Sequence, residues 1–327
     1  MAFTNTFDTT NPGSAVSNRE DLMDVLTILA PEETPVLSSA SKSKATATFV
    51  EWTVDSLSAP VTTGVAEGAD VTAFTDQFAG RARLGNYVQK FRRNFQVSDL
   101  QEAVESVGPA KVAQAEAKAV RELKRDIEAT LCSTNDRTVE DGAGAVYGLR
   151  GLGDWIDSAG PSDVPAAYRT PAASIHSTGA LAESSFNDLI TSIYRVTGTT
   201  NNLTLVADTA LRRVIADYAR TSGSTNTVYR QVTQSADSKT IKLSVEMYES
   251  DHGMVSIVNM NPDCAPDTVN KDSGYLLNPD YYGVAELISL GSSRLPNLGG
   301  GERGLVDCTL TLLMNHPGAH GKITAIA

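Results

Sequence analysis

The chain has 327 residues, 41% of them hydrophobic, with 39 acidic against 27 basic side chains and a formal net charge of −12. Such a length and apolar content support a substantial buried core, as one large domain or two smaller ones, and exclude a fibrous or disordered chain. The negative balance argues against a tight grip on nucleic acid, which depends on clustered Lys and Arg.

The first segment, Met1 to Gly13, is rich in Thr and Asn and closes with Asn11-Pro12-Gly13, the composition of a tail. It lacks a basic region followed by an apolar one, and no run in the chain approaches the length of a membrane span, so synthesis in a cytosol is expected. Ser17 and Glu20 form a capping box for a helix carrying Leu22, Val25, Leu26 and Leu29 and stopped by Pro31. With the Pro- and Ser-rich stretch to Lys44, residues 1–45 read as an arm that packs on a neighbour.

Thr46 to Val97 is strand-like and divided by charge. Every charge from Thr46 to Gly80 is acidic (Glu51, Asp55, Glu67, Asp70, Asp76), and every charge from Arg81 to Val97 is basic (Arg81, Arg83, Lys90, Arg92, Arg93). Val50, Trp52 and Val54 alternate with polar residues on the outgoing limb, and Tyr87, Phe91, Phe95 and Val97 do so on the return. Ser56 to Gly80, between them, has too few large apolar residues to build its own core. The spacing predicts a long two-stranded arm with a wide tip, and an isolated hairpin needs a surface to lie on. Another subunit is the expected surface, although the two limbs could also neutralise each other across their own hairpin.

Ser98 and Gln101 make a second capping box for a short helix. Pro109 opens a strong helix over 110–131, with Val112, Val120, Leu123, Ile127 and Leu131 as its apolar stripe and Lys111, Glu116, Lys118, Arg121, Glu122, Lys124, Arg125 and Glu128 on the remaining faces. Residues 133–170 are loop-rich. A helix with Phe186, Leu189, Ile190 and Ile193 stops at Gly198, the strand Leu203 to Val206 follows, and Asp208 caps a helix carrying Leu211, Val214, Ile215 and Tyr218. Strands are expected at 241–248, 254–258, 275–277, 285–290 and 305–314, which makes the class α+β.

Motifs for chemistry are scarce. Cys132, Cys264 and Cys308 are far apart without CxxC spacing, so buried free thiols are expected and neither a disulfide framework nor a zinc site. The glycines from Gly142 to Gly153 do not form GxGxxG, and Gly299-Gly300-Gly301 lacks the GK[ST] of a phosphate loop. His316 and His320 are four apart, but Pro317 and Gly318 forbid the helix that would align them on a metal. No GxSxG elbow occurs, and Asp251-His252 has no nucleophile in a recognisable setting. No catalytic residue, cofactor or metal is assigned.

The order of arm, two-stranded extension, charged helix, α/β insertion and late strands ending in Leu310 to Met314 resembles the major capsid proteins of tailed bacteriophages with the HK97-like fold. The pieces carrying the likeness are Val65-Ala66-Glu67-Gly68-Ala69-Asp70, Leu84-Gly85-Asn86-Tyr87-Val88-Gln89, Arg125-Asp126-Ile127-Glu128, Tyr248-Glu249-Ser250-Asp251-His252-Gly253 and the tail from Asn315 to Ile323. The resemblance implies an N-terminal arm (1–45), an extended loop (46–97) lying on an adjacent subunit, a peripheral domain (98–144 and 283–327) with 110–131 as spine helix and its sheet closed by the final strand, and an axial domain (145–282). Intersubunit contacts would then come from Glu51, Trp52, Asp55, Glu67, Asp70, Asp76, Arg81, Arg83, Lys90, Arg92, Arg93 and the turn Gly299, Gly300, Gly301 and Glu302.

It further implies pentamers and hexamers in an icosahedral virion shell around double-stranded DNA, with no sequence-specific DNA binding and no membrane. Separate scaffolding, portal and cement proteins, and assembly in the host cytoplasm, belong to the same expectation. Some relatives weld their shells through a lysine on the extended loop. No lysine occurs from Ala45 to Gln89, so the shell is expected to be non-covalent. Other relatives carry a fused scaffold ahead of the arm, whereas here the extended loop begins by Thr46, so any scaffold is expected to be separate or already removed. Two other readings compete: an α+β hydrolase with an oligomerisation arm, and a different phage structural protein of tail or adhesion type.

Overall fold

The computed structural model describes residues 33–104, 111–200, 202–218, 246–266, 269–324 and 326. The expected tail, the helix capped by Ser17 and the start of the strand from Ile241 lie outside the described residues. In chain order the elements begin with α1 (Pro35–Ser39), β1 (Ser41–Lys44), β2 (Phe49–Val54), β3 (Ala82–Tyr87), β4 (Gln89–Val97), α2 (Asp99–Ala103) and α3 (Lys111–Leu131). They continue through α4 (Leu152–Trp155), β5 (Ile175–His176), α5 (Glu183–Thr197), β6 (Leu203–Ala207) and α6 (Thr209–Tyr218). The last are β7 (Met247–Ser250), β8 (Gly253–Asn259), β9 (Gly274–Leu277), β10 (Tyr282–Leu295), β11 (Glu302–Met314) and β12 (Gly321–Ile323).

A four-stranded sheet in the order β1-β10-β11-β4 carries α3 on one face. Phe91 and Phe95 of β4 and Val306, Cys308 and Leu310 of β11 bury with Val112, Ala119, Leu123, Ile127 and Leu131 of the helix. Ala119 replaces Val120 in the expected stripe, because Val120 is only partly buried at its edge.

Glu128 departs from expectation more sharply: it is fully buried, not on an outer face. Its two carboxylate oxygens accept the main-chain N–H groups of Val36 and Leu37, each at 2.9 Å. The start of α1 has no side-chain cap from Thr34, so a carboxylate from α3 does the capping across 92 residues. Burial pushes the Glu128 carboxyl above its ordinary range against the opposing effect of those two hydrogen bonds. From α1 the chain enters β1, parallel to β10, and the Ser39 and Tyr282 hydroxyls meet at 2.5 Å.

The two-stranded arm is shorter than its sequence pattern suggests. β2 and β3 pair from Phe49↔Tyr87 to Val54↔Ala82, and Val88 N–H closes the ladder on the Thr48 carbonyl at 2.9 Å. Beyond Val88 the return limb leaves the hairpin, and β4 pairs antiparallel with β11. Phe91 and Phe95 explain the correction: their alternate positions bury against α3, which draws Gln89–Val97 into the main sheet.

The second sheet is mixed, in the order β5-β12-β9-β6-β8-β7. Phe186, Leu189, Ile190 and Ile193 of α5 and Leu211 and Ile215 of α6 bury with Leu203, Leu205, Val255, Ile257 and Leu276. Val206, Tyr275 and Leu277, on alternate positions, join the first core instead, so this sheet separates two cores. α5 ends as expected at Gly198, which adopts φ 71°. The last strand expected from the sequence, 305–314, lies in the four-stranded sheet as β11, and a further strand, β12, pairs with β9 and β5 because Ile323 belongs to the second core.

The chain therefore crosses between the sheets at Asn278–Tyr281 and again at Asn315–His320. The crossings are tied by the Asn315 N–H to the Tyr281 carbonyl at 2.9 Å and by the Asn278 N–H to His320 Nδ1 at 3.2 Å. His320 is fully buried with its ring edge-on to Tyr282, 5.9 Å between centroids. Among the described residues no group of three or more His, Cys, Asp or Glu is arranged to hold a metal, and the three cysteines are free and buried.

Two predictions follow from these buried polar groups. Replacing Glu128 by Gln strands one main-chain donor against an amide NH2, so chemical denaturation should show a loss of about 1–3 kcal/mol; an unchanged midpoint would show that α1 is held by other contacts. Burial lowers the His320 pKa to about 3 from 6.5, the nearby His316 adding to the effect and the Tyr281 carbonyl opposing it. The native ring stays neutral where the unfolded ring takes up a proton, so its stabilisation is complete above pH 6.5 and declines as pH falls from 6.5 towards 3. Denaturation midpoints should therefore drop less steeply on acidification in His320→Gln than in the wild type, and equal slopes would refute the assignment.

Candidate intersubunit surface

The base of the β2–β3 hairpin is gripped by residues 136–168, the glycine-rich segment. Asn86 of β3 is fully buried: its Oδ1 accepts the Arg150 N–H at 2.8 Å, and its Nδ2 donates to the carbonyls of Arg150 and Leu312 at 3.3 and 3.0 Å. Arg137 donates to the Gly85 carbonyl at 2.6 Å and lies over the Phe49 ring, 5.2 Å from its centroid. The Tyr168 hydroxyl donates to the Gly80 carbonyl at 2.5 Å, where the return limb comes back to the body. On β2, Trp52 donates to the Met314 carbonyl at 3.0 Å and packs against Trp155 with 5.7 Å between ring centroids.

At the centre of this collar is Arg150, with a side chain only 1% exposed. Its guanidinium donates to Asp136 Oδ1 from Nε and Nη2 at 2.8 and 2.6 Å and to Asp163 Oδ1 from Nη2 at 2.8 Å. Asp154 Oδ2 is 3.0 Å from Nε, and the guanidinium lies 4.7 Å from the centroid of the Trp155 ring. The carboxylates are not equivalent. Asp163 is held below its ordinary pKa by Arg150 and Arg137 against the cost of burial. Asp154 is raised by burial and by the neighbouring carboxylates in spite of Arg150, which makes it the weakest partner.

Beyond this base the loop carries little fixed structure. Residues 55–81 have no helix or strand, and Leu57, Val61, Val65, Val71, Phe74 and Phe78 are exposed, Leu57 at 99% and Phe74 at 91%. Glu67 and Asp70 lie exposed in this crown, as does Asp76, whose Oδ1 accepts the Phe78 N–H at 2.9 Å.

The charge division splits into three groups. At the crown's root the limbs neutralise each other across the hairpin, Arg81 with Asp55 at 2.7 Å and Arg83 with Glu51 at 3.5 Å. The Arg81 hydrogen bond holds the Asp55 carboxyl below its usual range. Lys90 and Arg93 are turned inward to their own subunit. Lys90 pairs with Asp307 at 3.2 Å, and Arg93 makes a two-point pair with Asp126 of α3 at 2.5 and 2.7 Å. Arg92 is exposed, with Asp307 opposite it on β11. Trp52, expected at an interface, is half-buried against the collar.

Gly299, Gly300 and Gly301 lie in the turn between β10 and β11, and Glu302 opens β11 opposite Val97, bridged to Arg294 at 3.3 Å. Gly299 and Gly301 have φ 91° and 121°, and a Cβ on Gly301 would come within 2.1 Å of the Val97 carbonyl oxygen. This turn lies beside the end of β4, whereas the hairpin joins at its start. Nine residues of strand separate the two, about 25–30 Å, so the hairpin and the turn lie at opposite ends of β4, with Lys90, Arg92 and Arg93 along the strand between them. Leu290, Leu295 and Leu298 are exposed at the turn's end.

Sequence reasoning missed Asn86, Arg137, Arg150, Trp155, Asp163 and Tyr168. The available signal was two arginines, Arg137 and Arg150, among Asp136, Asp154 and Asp163 in a glycine-rich stretch, and both tryptophans of the chain, Trp52 and Trp155, near strand and loop signals.

The sequence matches the family described as SU10 major capsid protein over residues 2–327. No curated protein matches it. Among solved structures it is similar to the capsid of a native GTA particle (14% identity, TM-score 0.62, covering 98% of this chain and 99% of that one). It is similar too to the Cyanophage A-1(L) capsid (15%, 0.63, 97% and 99%) and to the capsid of Cyanophage P-SCSP1u (13%, 0.58, 99% and 99%). At these identities the likeness establishes the fold, the α+β architecture of HK97-type capsid proteins.

The different settings of two adjacent arginines give a test. Arg93→Glu faces Asp126 and Glu122 and should lower subunit stability by a few tenths to about 1 kcal/mol or more. Arg92→Glu should leave it within about 0.5 kcal/mol, as for surface substitutions generally. Urea denaturation of the unassembled chain checks both, and equal losses would show that Arg92 also serves the subunit's own fold.

Proposed function

Because the chain belongs to the SU10 major capsid protein family, and is therefore a structural protein of a capsid shell and not an enzyme, we propose that its copies hold one another through the extended loop at one end of the subunit and the Gly299–Glu302 turn at the other. The observation that carries this reading is the crown: a long segment with six exposed apolar side chains, mounted on a rigid base and unable to cover itself. Contiguous exposed apolar surface on a soluble protein marks an interaction site. The surface that covers the crown belongs to a neighbouring copy.

In this proposal the four-stranded sheet with α3 is the peripheral domain, and the six-stranded sheet with α5 and α6 is the axial domain that meets its copies around five- and six-fold axes. The corrected hairpin limits the extended loop to about residues 49–87, with β4 in the peripheral sheet. The absence of lysine from Ala45 to Gln89 supports a non-covalent shell. A net charge of −12 suits a container that encloses double-stranded DNA without adhering to it. Scaffolding, portal and cement proteins, and assembly in a host cytoplasm, complete the proposal. The hydrolase alternative has nothing in its favour once the family is known.

Deleting residues 56–80 from the full chain separates folding from assembly. The shortened protein should keep a cooperative unfolding transition yet form no closed shells in electron micrographs under conditions where the wild type does. Normal shells would overturn the reading.

A further inference from the structure

The extended loop is held by polar contacts that cease abruptly along its length. Up to Val54 and Ala82 it is a paired ribbon, fixed on the β3 side by Asn86 and Arg137 and on the β2 side by Trp52. The last attachment is the Tyr168 hydroxyl, which meets the Gly80 carbonyl at 2.5 Å and the Ser56 hydroxyl at 3.4 Å, one contact on each limb. The sides of this collar converge on a single residue. The Arg150 main chain exchanges two hydrogen bonds with Asn86, and its guanidinium backs the Trp155 ring on which Trp52 packs. The same guanidinium ties Asp136 and Asp163, and Asp163 in turn pairs with Arg137 at 3.2 Å.

We propose that Arg150 is a positioning residue for assembly: by locking the collar of residues 136–168 it fixes the direction in which the extended loop leaves the subunit, and the loop bends only beyond Ser56 and Gly80. This rests on the reading of the loop as an intersubunit strap and adds what aims it. A carboxylate cage suited to a planar, forked cation cannot be satisfied equally by a point charge, so Arg150→Lys keeps the charge but loosens the collar. A strap aimed before contact meets its neighbour without first ordering its base, and preorganisation of this kind lowers the entropic cost of association.

The test is a pair of spin labels on the unassembled full-length chain, at Thr53→Cys on the exposed side of the paired ribbon and Lys124→Cys on the exposed side of α3, with the three native cysteines protected by burial. Electron–electron distance measurements should give one narrow population in the otherwise wild-type chain and lose it in Arg150→Lys, with a milder broadening in Tyr168→Phe. A purely structural role would lower the melting temperature and leave the distance distribution unchanged, and that result overturns the proposal. If Arg150→Lys does not fold, Tyr168→Phe and Asp163→Asn decide by the same criterion. Shell yield is scored separately: variants with a broadened distribution and full yield would overturn the role of Arg150 in assembly, whereas failure of the strap reading itself shows as normal shells from the chain lacking residues 56–80.

Discussion

The arrangement of the subunit depends on one buried cation. An arginine taken out of water without partners is strongly unfavourable, so the placement of Arg150 requires Asp136, Asp154, Asp163 and the Trp155 ring to be brought to it together. Asp136 and Asp163 come from separate turns of this glycine-rich segment, and Asp154 and Trp155 from the short helix α4 that follows Arg150. Leu149, Leu152, Ile156, Val164 and Tyr168 anchor the segment in the first core, and satisfying the guanidinium fixes the turns between those anchors relative to one another. The segment that results is stiff enough to hold two strands of another part of the chain, one by hydrogen bonds through Asn86 and one by ring packing through Trp52.

Rigid base and bare crown divide the work. Exposed ion pairs such as Arg83–Glu51 contribute roughly 0.2–1 kcal/mol each, too little to place a loop by themselves. The collar places the base, whereas the crown's apolar side chains and the acidic residues Glu67, Asp70 and Asp76 stay exposed on the subunit. At the far end of β10 and β11 the exposed strand residues and the Gly299–Glu302 turn offer a second patch. Between that turn and the hairpin the hydrogen-bonded ladder of β4 and β11 is continuous from Val97↔Glu302 to Gln89↔Leu310.

The sequence made the periodic elements legible because burial there is local and repetitive. α3, α5, α6 and the strands β6, β8, β9, β10 and β11 follow patterns of 3.6 or 2 that need no knowledge of distant residues. The partner of a strand is a different matter. β3 and β4 are separated only by Val88, and nothing local says that one pairs with β2 and the other with β11. Glu128 was misplaced for a related reason: its carboxylate is buried because it caps a helix 91–92 residues earlier, a relation that the helix's own pattern cannot contain. The collar was invisible because irregular backbone has no period, and what organises it is charge satisfied in three dimensions.

These misses share a physical character. Apolar burial is non-directional, so it makes the pieces of a chain adhere without fixing their register. At each joint of this subunit a buried polar group supplies the direction. Glu128 joins the arm to α3, Arg150 and Asn86 join the extended loop to the body, and His320 ties the two crossings between the sheets. A buried donor or acceptor is satisfied in one geometry and strongly penalised in others, so it rejects small slippages that a greasy contact would tolerate. A shell protein whose partners are copies of itself has particular need of this, because an angular error at a joint of one subunit is repeated at every contact that the subunit makes.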